Sequence, residues 1–144
     1  MKKLIIILVL ILSFQACKKD KLIGDKEILI GKWEWIYTEH DYGWCDGDSF
    51  IETIVPEDNN YSILFSKKGT IKFFKGENIT SKKRIVFQSF KPEGIYEFWF
   101  FIKLNNNEND ILRGGFINDT LVLANFPLDP IIGCESYTSY FIKQ

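Results

Sequence analysis

From residue 31 onward, apolar and polar residues alternate in short runs, which is the period of two typical of β-strands with one buried face. Residues that favour turns separate the runs, and Asn118-Asp119 between two apolar runs is a strong hairpin signal. The pattern predicts nine strands, over residues 31–38, 50–55, 61–66, 70–75, 84–90, 95–104, 111–117, 120–125 and 137–143.

An antiparallel meander of this length has two exposed sheet edges, and closure into a barrel removes both. We therefore predict an all-β fold, an antiparallel up-and-down β-barrel of about eight strands. A β-sandwich is the competing solution. The composition agrees with strands, because 16% of the residues are aromatic and thirteen are phenylalanine.

The run over residues 95–104 is apolar on both faces, which is typical of a strand that is buried on both sides. One face is expected to form the barrel interior. The other face then needs a cover, from the apolar residues of segment 17–29, from a helix or from a partner protein. The two faces are Tyr96, Phe98, Phe100 and Ile102 on one side, and Trp99 and Phe101 on the other.

The N-terminus has the three parts of a secretory signal: a basic start, an apolar run over residues 4–12 and a small residue, Ala16, before Cys17. The run is too short for a membrane-spanning helix, which needs about 20 residues. An ordinary signal peptide with an incidental cysteine is the alternative to the interpretation that follows.

Residues 13–17 resemble the lipobox of bacterial lipoproteins, although Phe14 and Gln15 replace its usual leucine and small residue. The resemblance implies cleavage before Cys17, acylation of that cysteine, and attachment to the bacterial cell envelope, expected at the outer membrane. It divides the chain into a signal peptide (1–16), a tether (17–29) with a possible short helix, and a barrel domain (30–144).

The two remaining cysteines, Cys45 and Cys134, are 89 positions apart. An oxidising compartment makes a disulfide between them plausible. Closing so long a loop stabilises a fold by about 4–5 kcal/mol in the chain-entropy account. Two free thiols are the alternative.

Charge and reactive residues argue against several functions. Removal of residues 1–16 leaves 16 basic and 19 acidic side chains, a formal charge of −3, which does not suit a nucleic-acid partner. The single histidine, His40, stands between Glu39 and Asp41 and is expected at a solvated strand end, so we expect no enzyme activity. One histidine and two cysteines do not supply the four ligands of a usual zinc site. The acidic segment 41–48 is expected to be solvated rather than to bind calcium. No cofactor is expected.

Three segments resemble the lipocalins, and more closely the short lipocalin-like domains of bacterial lipoproteins. They are Gly31-x-Trp33, the hairpin segment 117–123, and the closing segment 140–143. The resemblance covers residues 30–143 and implies that Trp33 closes one end of a barrel. Lys143 stands near the position where true lipocalins have an arginine.

An eight-stranded barrel has room for side chains or for one small ligand. The first hypothesis is therefore a membrane-anchored module that binds a small apolar molecule. The second is a filled barrel that docks to another envelope protein through an exposed aromatic face or its loops. The ligand-binding candidates are Trp35, Tyr37, Phe65, Phe73, Phe87, Phe98 and Phe100, with Trp33, Trp35 and Tyr37 expected on one face.

Overall fold

The computed structural model describes residues 21–41, 51–56, 60–93, 96–124 and 136–144, without the side chains of 91–93 and 96–98. Cys17, Cys45, Cys134 and the side chain of Phe98 lie outside the described part. A short 3₁₀ helix, Gly24–Leu29, precedes nine strands. The strands are β1 (Gly31–Asp41), β2 (Ile51–Ile54), β3 (Tyr61–Ser66), β4 (Thr70–Lys75), β5 (Asn78–Glu93), β6 (Tyr96–Leu104), β7 (Ile111–Ile117), β8 (Thr120–Ala124) and β9 (Ser136–Lys143).

The strands form a closed antiparallel barrel. From β3 to β9 each strand pairs with the next along the chain, β3 pairs with the first half of β1, and β9 returns to pair with β1. Eight strands make the barrel, and β2 is an additional short strand that pairs with the last four residues of β1. The predicted up-and-down barrel is confirmed, and the sandwich alternative is wrong.

Two of the hairpin turns contain a residue with a left-handed backbone conformation. Gly69 has a φ of 72° in the turn between β3 and β4, and Asn118 has a φ of 53° in the turn between β7 and β8. Glycine and asparagine tolerate this region better than other residues, which explains why both turns were visible in the sequence.

Strand β5 begins six residues earlier than predicted, at Asn78 instead of residue 84. Its first half pairs with β4, as in Phe73 opposite Ser81, and its second half pairs with β6, as in Ile85 opposite Leu104. The first half is rich in polar residues, so its apolar alternation is weak and the sequence pattern predicts no strand there.

A β-bulge in β1 changes which residues face the interior. Trp33 and Trp35 are buried in the core, and the register against β9 shifts between Trp35 and Tyr37. A bulge adds one residue to a strand and reverses the faces beyond it. The prediction that Tyr37 shares a face with the two tryptophans is therefore wrong, since Tyr37 faces outward. His40 faces inward and is 5% exposed, so its expected solvated position is also wrong.

The N-terminal 3₁₀ helix closes one end of the barrel, called here the plugged end. Leu22 and Leu29 are fully buried in the same core cluster as Trp33, Phe65 and Phe116. The backbone N–H of Leu22 donates to the carbonyl of Lys67 in the β3–β4 turn, at 3.2 Å. These tether residues fill the end of the barrel, rather than covering the outer face of β6. The opposite end, where β1 finishes at Asp41, is called the mouth.

Within the described residues, no helix has the length and apolar character required to cross a bilayer.

A belt of inward-facing residues crosses five strands halfway along the barrel. Register pairs connect Thr38 to Ser139, Ser139 to Leu123, Leu123 to Gly114 and Gly114 to Phe100. A Cβ added at Gly114 would lie 2.4 Å from the Val122 carbonyl oxygen, 2.6 Å from Leu123 Cδ2 and 2.9 Å from Phe100 Cζ. The interior is therefore full around Gly114, and only glycine fits at that position.

We predict that Gly114→Ala lowers the free energy of unfolding by about 1–3 kcal/mol, because one extra methyl group overpacks the core. Urea denaturation measures the loss. Thr53→Ala at an exposed position of β2 is the control and should change stability by less than about 0.5 kcal/mol. Equal stability of the two variants would contradict the packing described here.

Candidate ligand-binding site

The plugged end is held by contacts around Trp33. The indole Nε1–H of Trp33 donates to the carbonyl of Leu29 at 2.8 Å, which fixes the 3₁₀ helix over the core. The Lys143 Nζ lies 5.4 Å from the centroid of the Trp33 ring and donates to the carbonyl of Ile28 at 3.2 Å. Gly31 makes room for Lys143, because a Cβ there would lie 2.9 Å from its Cε and the φ of Gly31 is 131°. We call these contacts the Trp33 latch.

The mouth half of the interior has an aromatic wall on β1, β3 and β4. The rings of Trp35 and Tyr61 meet edge to face, with centroids 5.7 Å apart. Phe73 packs against the core two positions before Lys75, the last residue of β4, and it lies opposite Ile63 of β3. Tyr61 and Phe73 remain only half-buried although they face inward, so part of each ring is accessible from the mouth.

A chain of polar groups lies on the adjoining wall, made by β1 and β9. The indole Nε1–H of Trp35 donates to Thr38 Oγ1 at 2.9 Å, and Thr38 Oγ1 lies 2.8 Å from Ser139 Oγ. Thr38 and Ser139 are both at most 1% exposed. Each hydroxyl group has one hydrogen. One of the two hydrogens forms the bond between Thr38 and Ser139, and the other can be donated to a further acceptor.

His40 extends this polar wall towards the mouth. Its ring stacks on Tyr137 of β9, with centroids 4.1 Å apart and an interplanar angle of 19°. His40 and Tyr137 are register partners, two positions beyond Thr38 and Ser139. The mouth thus combines aromatic surface with a few buried polar groups, which is the composition typical of small-molecule sites.

The structure separates the predicted ligand-binding residues into groups. Trp35 and Phe73 lie at the mouth, whereas Phe65 and Phe100 are fully buried in the packed core. Phe87 lies beneath Lys26 of the 3₁₀ helix, whose Nζ is 4.4 Å from its ring centroid. The sequence did not predict Thr38, His40 and Ser139 as site residues. The bulge that turns Thr38 and His40 inward cannot be recognised from the pattern of apolar and polar residues.

Tyr37 belongs to the outer surface of the barrel. Its ring stacks on Tyr140, with centroids 4.3 Å apart, and the Tyr140 hydroxyl donates to Glu39 Oε2 at 2.7 Å. Partial burial raises the pKa of Tyr37, and the carboxylate of Glu39 raises it further. This stack stabilises the β1–β9 seam from outside and does not line the interior.

A separate cleft of about 450 Å³ lies at the plugged end, beside the 3₁₀ helix and the β7–β8 turn. Ile28, Ile142 and Lys143 line it together with Asp119. Its walls include the Trp33 latch itself, so we assign it to the closure of the barrel. In the part of the chain that the structure describes, no cluster of three or more His, Cys, Asp or Glu side chains could hold a metal ion.

Comparison of the chain with protein-family models, with curated proteins and with solved structures finds no match in any of the three.

We predict that Lys143→Met loosens the plugged end, since it removes the ammonium group from the Trp33 ring and from the Ile28 carbonyl. An exposed cation–π contact contributes about 0.5–1 kcal/mol, so the stability loss should be of this order. Hydrogen exchange of the amides of Leu22 and Ile30 should become faster. Lys143→Arg keeps the charge and is the control. Unchanged exchange in the methionine variant would show that the latch does not hold the helix.

Proposed function

We propose that this chain is a lipid-anchored, lipocalin-like protein of the bacterial cell envelope that binds one small, largely apolar molecule in the mouth of its barrel. The observation that carries the proposal is the contrast between the two halves of the interior. The plugged half is apolar and tightly packed, whereas the mouth half has half-buried aromatic rings beside buried polar groups.

The two walls suggest the chemistry of the ligand. Trp35, Tyr61 and Phe73 offer flat apolar surface for the body of a small molecule. The remaining hydroxyl hydrogen of the Thr38–Ser139 pair offers a donor for an acceptor oxygen. A hydrophobic molecule that carries one carbonyl or carboxyl oxygen fits both walls.

The register of the barrel supports the proposed disulfide. Asp41, the last residue of β1, lies opposite Ser136, the first residue of β9. Cys45 follows Asp41 by four residues and Cys134 precedes Ser136 by two. The two segments that carry the cysteines therefore leave neighbouring strands at the same end of the barrel, the mouth.

The proposed anchor depends on Cys17 and on the signal-like sequence before it. The first described residue, Lys21, is four positions after Cys17. Acyl chains on Cys17 would attach the domain to a bilayer without a spanning segment, because each buried CH₂ contributes about 0.8 kcal/mol.

The alternative function is docking to another envelope protein. It is favoured by the apolar residues Ile51, Ile54 and Val55 at and just beyond β2, which are 61%, 37% and 57% exposed. In that case the mouth would be a protein-binding surface, and the interior would hold no small molecule.

We predict that the hydrophobic dye 1-anilinonaphthalene-8-sulfonate binds the mouth with one equivalent per chain and gains fluorescence there. Phe73→Ala removes part of the aromatic wall and should weaken dye binding about tenfold, since full burial of a phenylalanine contributes about 1.5–3 kcal/mol. Fluorescence titration measures both affinities.

The matched control is Phe74→Ala, the next residue on the same strand. Phe74 lies opposite Ser62 and faces outward, whereas Phe73 lies opposite Ile63 and faces inward. The control should leave the dye affinity unchanged. Absence of dye binding by the parent chain, or an equal loss in both variants, would argue against a ligand in the mouth.

A further inference from the structure

Charge is strongly segregated along the chain. Residues 39–58 include seven acidic side chains and neither lysine nor arginine. Residues 67–84 include seven basic side chains and one acidic one. A chain with a formal charge of only −1 therefore has two oppositely charged regions along its sequence.

The basic region forms a patch on the outer face of the barrel. One outward row of register partners runs from Lys32 to Leu64, then to Lys72, and then to Lys82. Lys72 and Lys82 are directly opposite each other on adjacent strands, an arrangement in which like charges destabilise a sheet. The basic patch comprises Lys32, Lys67, Lys68, Lys72, Lys82 and Arg84.

Within the described residues, most of this charge is not neutralised. Among the described residues, Lys32, Lys68, Lys72 and Lys82 form no ion pair. Lys67 lies 3.8 Å from Glu27, with both side chains more than half exposed. Glu34, on the neighbouring outward row, accepts a hydrogen bond from Gln144. Adjacent lysines that have no counter-charge in the described part of the chain are suited to an external anionic partner.

The patch begins at the plugged end, where the tether enters the barrel, and it extends along the outer wall as far as Arg84, whose backbone is hydrogen-bonded to Asn105 in the β6–β7 loop. Leu22 is hydrogen-bonded to Lys67, and Lys68 follows in the same turn. Lys21 is four positions after Cys17, and an extended chain of that length spans at most about 14 Å. An anchor at Cys17 therefore holds the nearest part of the basic patch, Lys67 and Lys68, within about two Debye lengths of the bilayer, each of about 8 Å at physiological salt.

The mouth ends of β1 and β2 have the opposite charge. Glu39 and Asp41 lie on the last residues of β1, and Glu52 lies on β2 beside them. An anionic surface attracts the basic end and repels the acidic end, so both charges favour the same orientation.

We propose that the basic patch binds the anionic headgroups of the bilayer that holds the anchor, so that the plugged end faces the membrane and the mouth faces away from it. This inference rests on the proposed lipid anchor at Cys17. Basic side chains near an anionic bilayer each contribute a partition factor of about fivefold, and several together orient a tethered domain.

The test uses the full chain purified from bacterial membranes and reconstituted into two kinds of vesicle. One is phosphatidylcholine alone, and the other contains equal parts of phosphatidylcholine and phosphatidylglycerol. Lysines are acetylated in a timed reaction, and peptide mass spectrometry gives the rate at each position. Lys75, exposed at the mouth end of β4, is the internal reference.

Acetylation of Lys72 and Lys82 should be at least about fivefold slower on the phosphatidylglycerol vesicles than on phosphatidylcholine, and high salt should abolish the difference. Lys75 should react equally on both. Lys72→Gln should accelerate acetylation of Lys82 on the anionic vesicles about fivefold, because it removes one basic contact. The matched variant Lys75→Gln should leave the rate at Lys82 unchanged.

Equal rates at Lys82 on both vesicles, in a protein whose mass shows an acylated Cys17, would overturn the orientation and leave the anchor intact. Protection by soluble polyphosphate but not by anionic vesicles would also overturn it, since the partner would then be a soluble polyanion. An unmodified Cys17 in the same mass spectrum would instead overturn the proposed anchor, and with it this inference.

Discussion

The pairing of β1 with β9 is the constraint on which the rest of this structure depends. It closes the sheet, so that no long edge remains on the eight barrel strands, and it makes β1 a neighbour of three strands. The bulge between Trp35 and Tyr37 lies on this seam. Because of it, one strand supplies Trp33 to the packed core, and Trp35 together with the polar side chains to the mouth.

Closure also separates two kinds of interior. At the plugged end, Leu22 and Leu29 complete a dry core, and the Trp33 latch joins the first strand, the 3₁₀ helix and the last residue of β9. Burying hydroxyl groups costs free energy unless they are hydrogen-bonded. Thr38 and Ser139 meet that requirement largely through each other and through the Trp35 indole, which allows polar groups to remain inside a barrel that is otherwise apolar.

Much of the fold could be predicted from the sequence, because period-two alternation and turn residues such as Asn118 and Gly69 act locally. The strand positions and the closed meander followed from those signals. The bulge in β1 did not, because it is a property of the pairing with β9 and not of the residues themselves. For the same reason, the inward position of His40 and the outward position of Tyr37 can be assigned only when the register between β1 and β9 is known. The opposition of Lys72 and Lys82 is likewise invisible until β4 and β5 are aligned.

The central claim is that the mouth of the barrel holds a small molecule while the plugged end is closed. Native mass spectrometry of the full chain, extracted from bacterial membranes under non-denaturing conditions, tests it most directly. The account predicts a species heavier than the acylated chain by the mass of one small, largely apolar molecule, which is lost on denaturation. Identical masses under native and denaturing conditions, in a chain that also fails to take up hydrophobic probes, would contradict it.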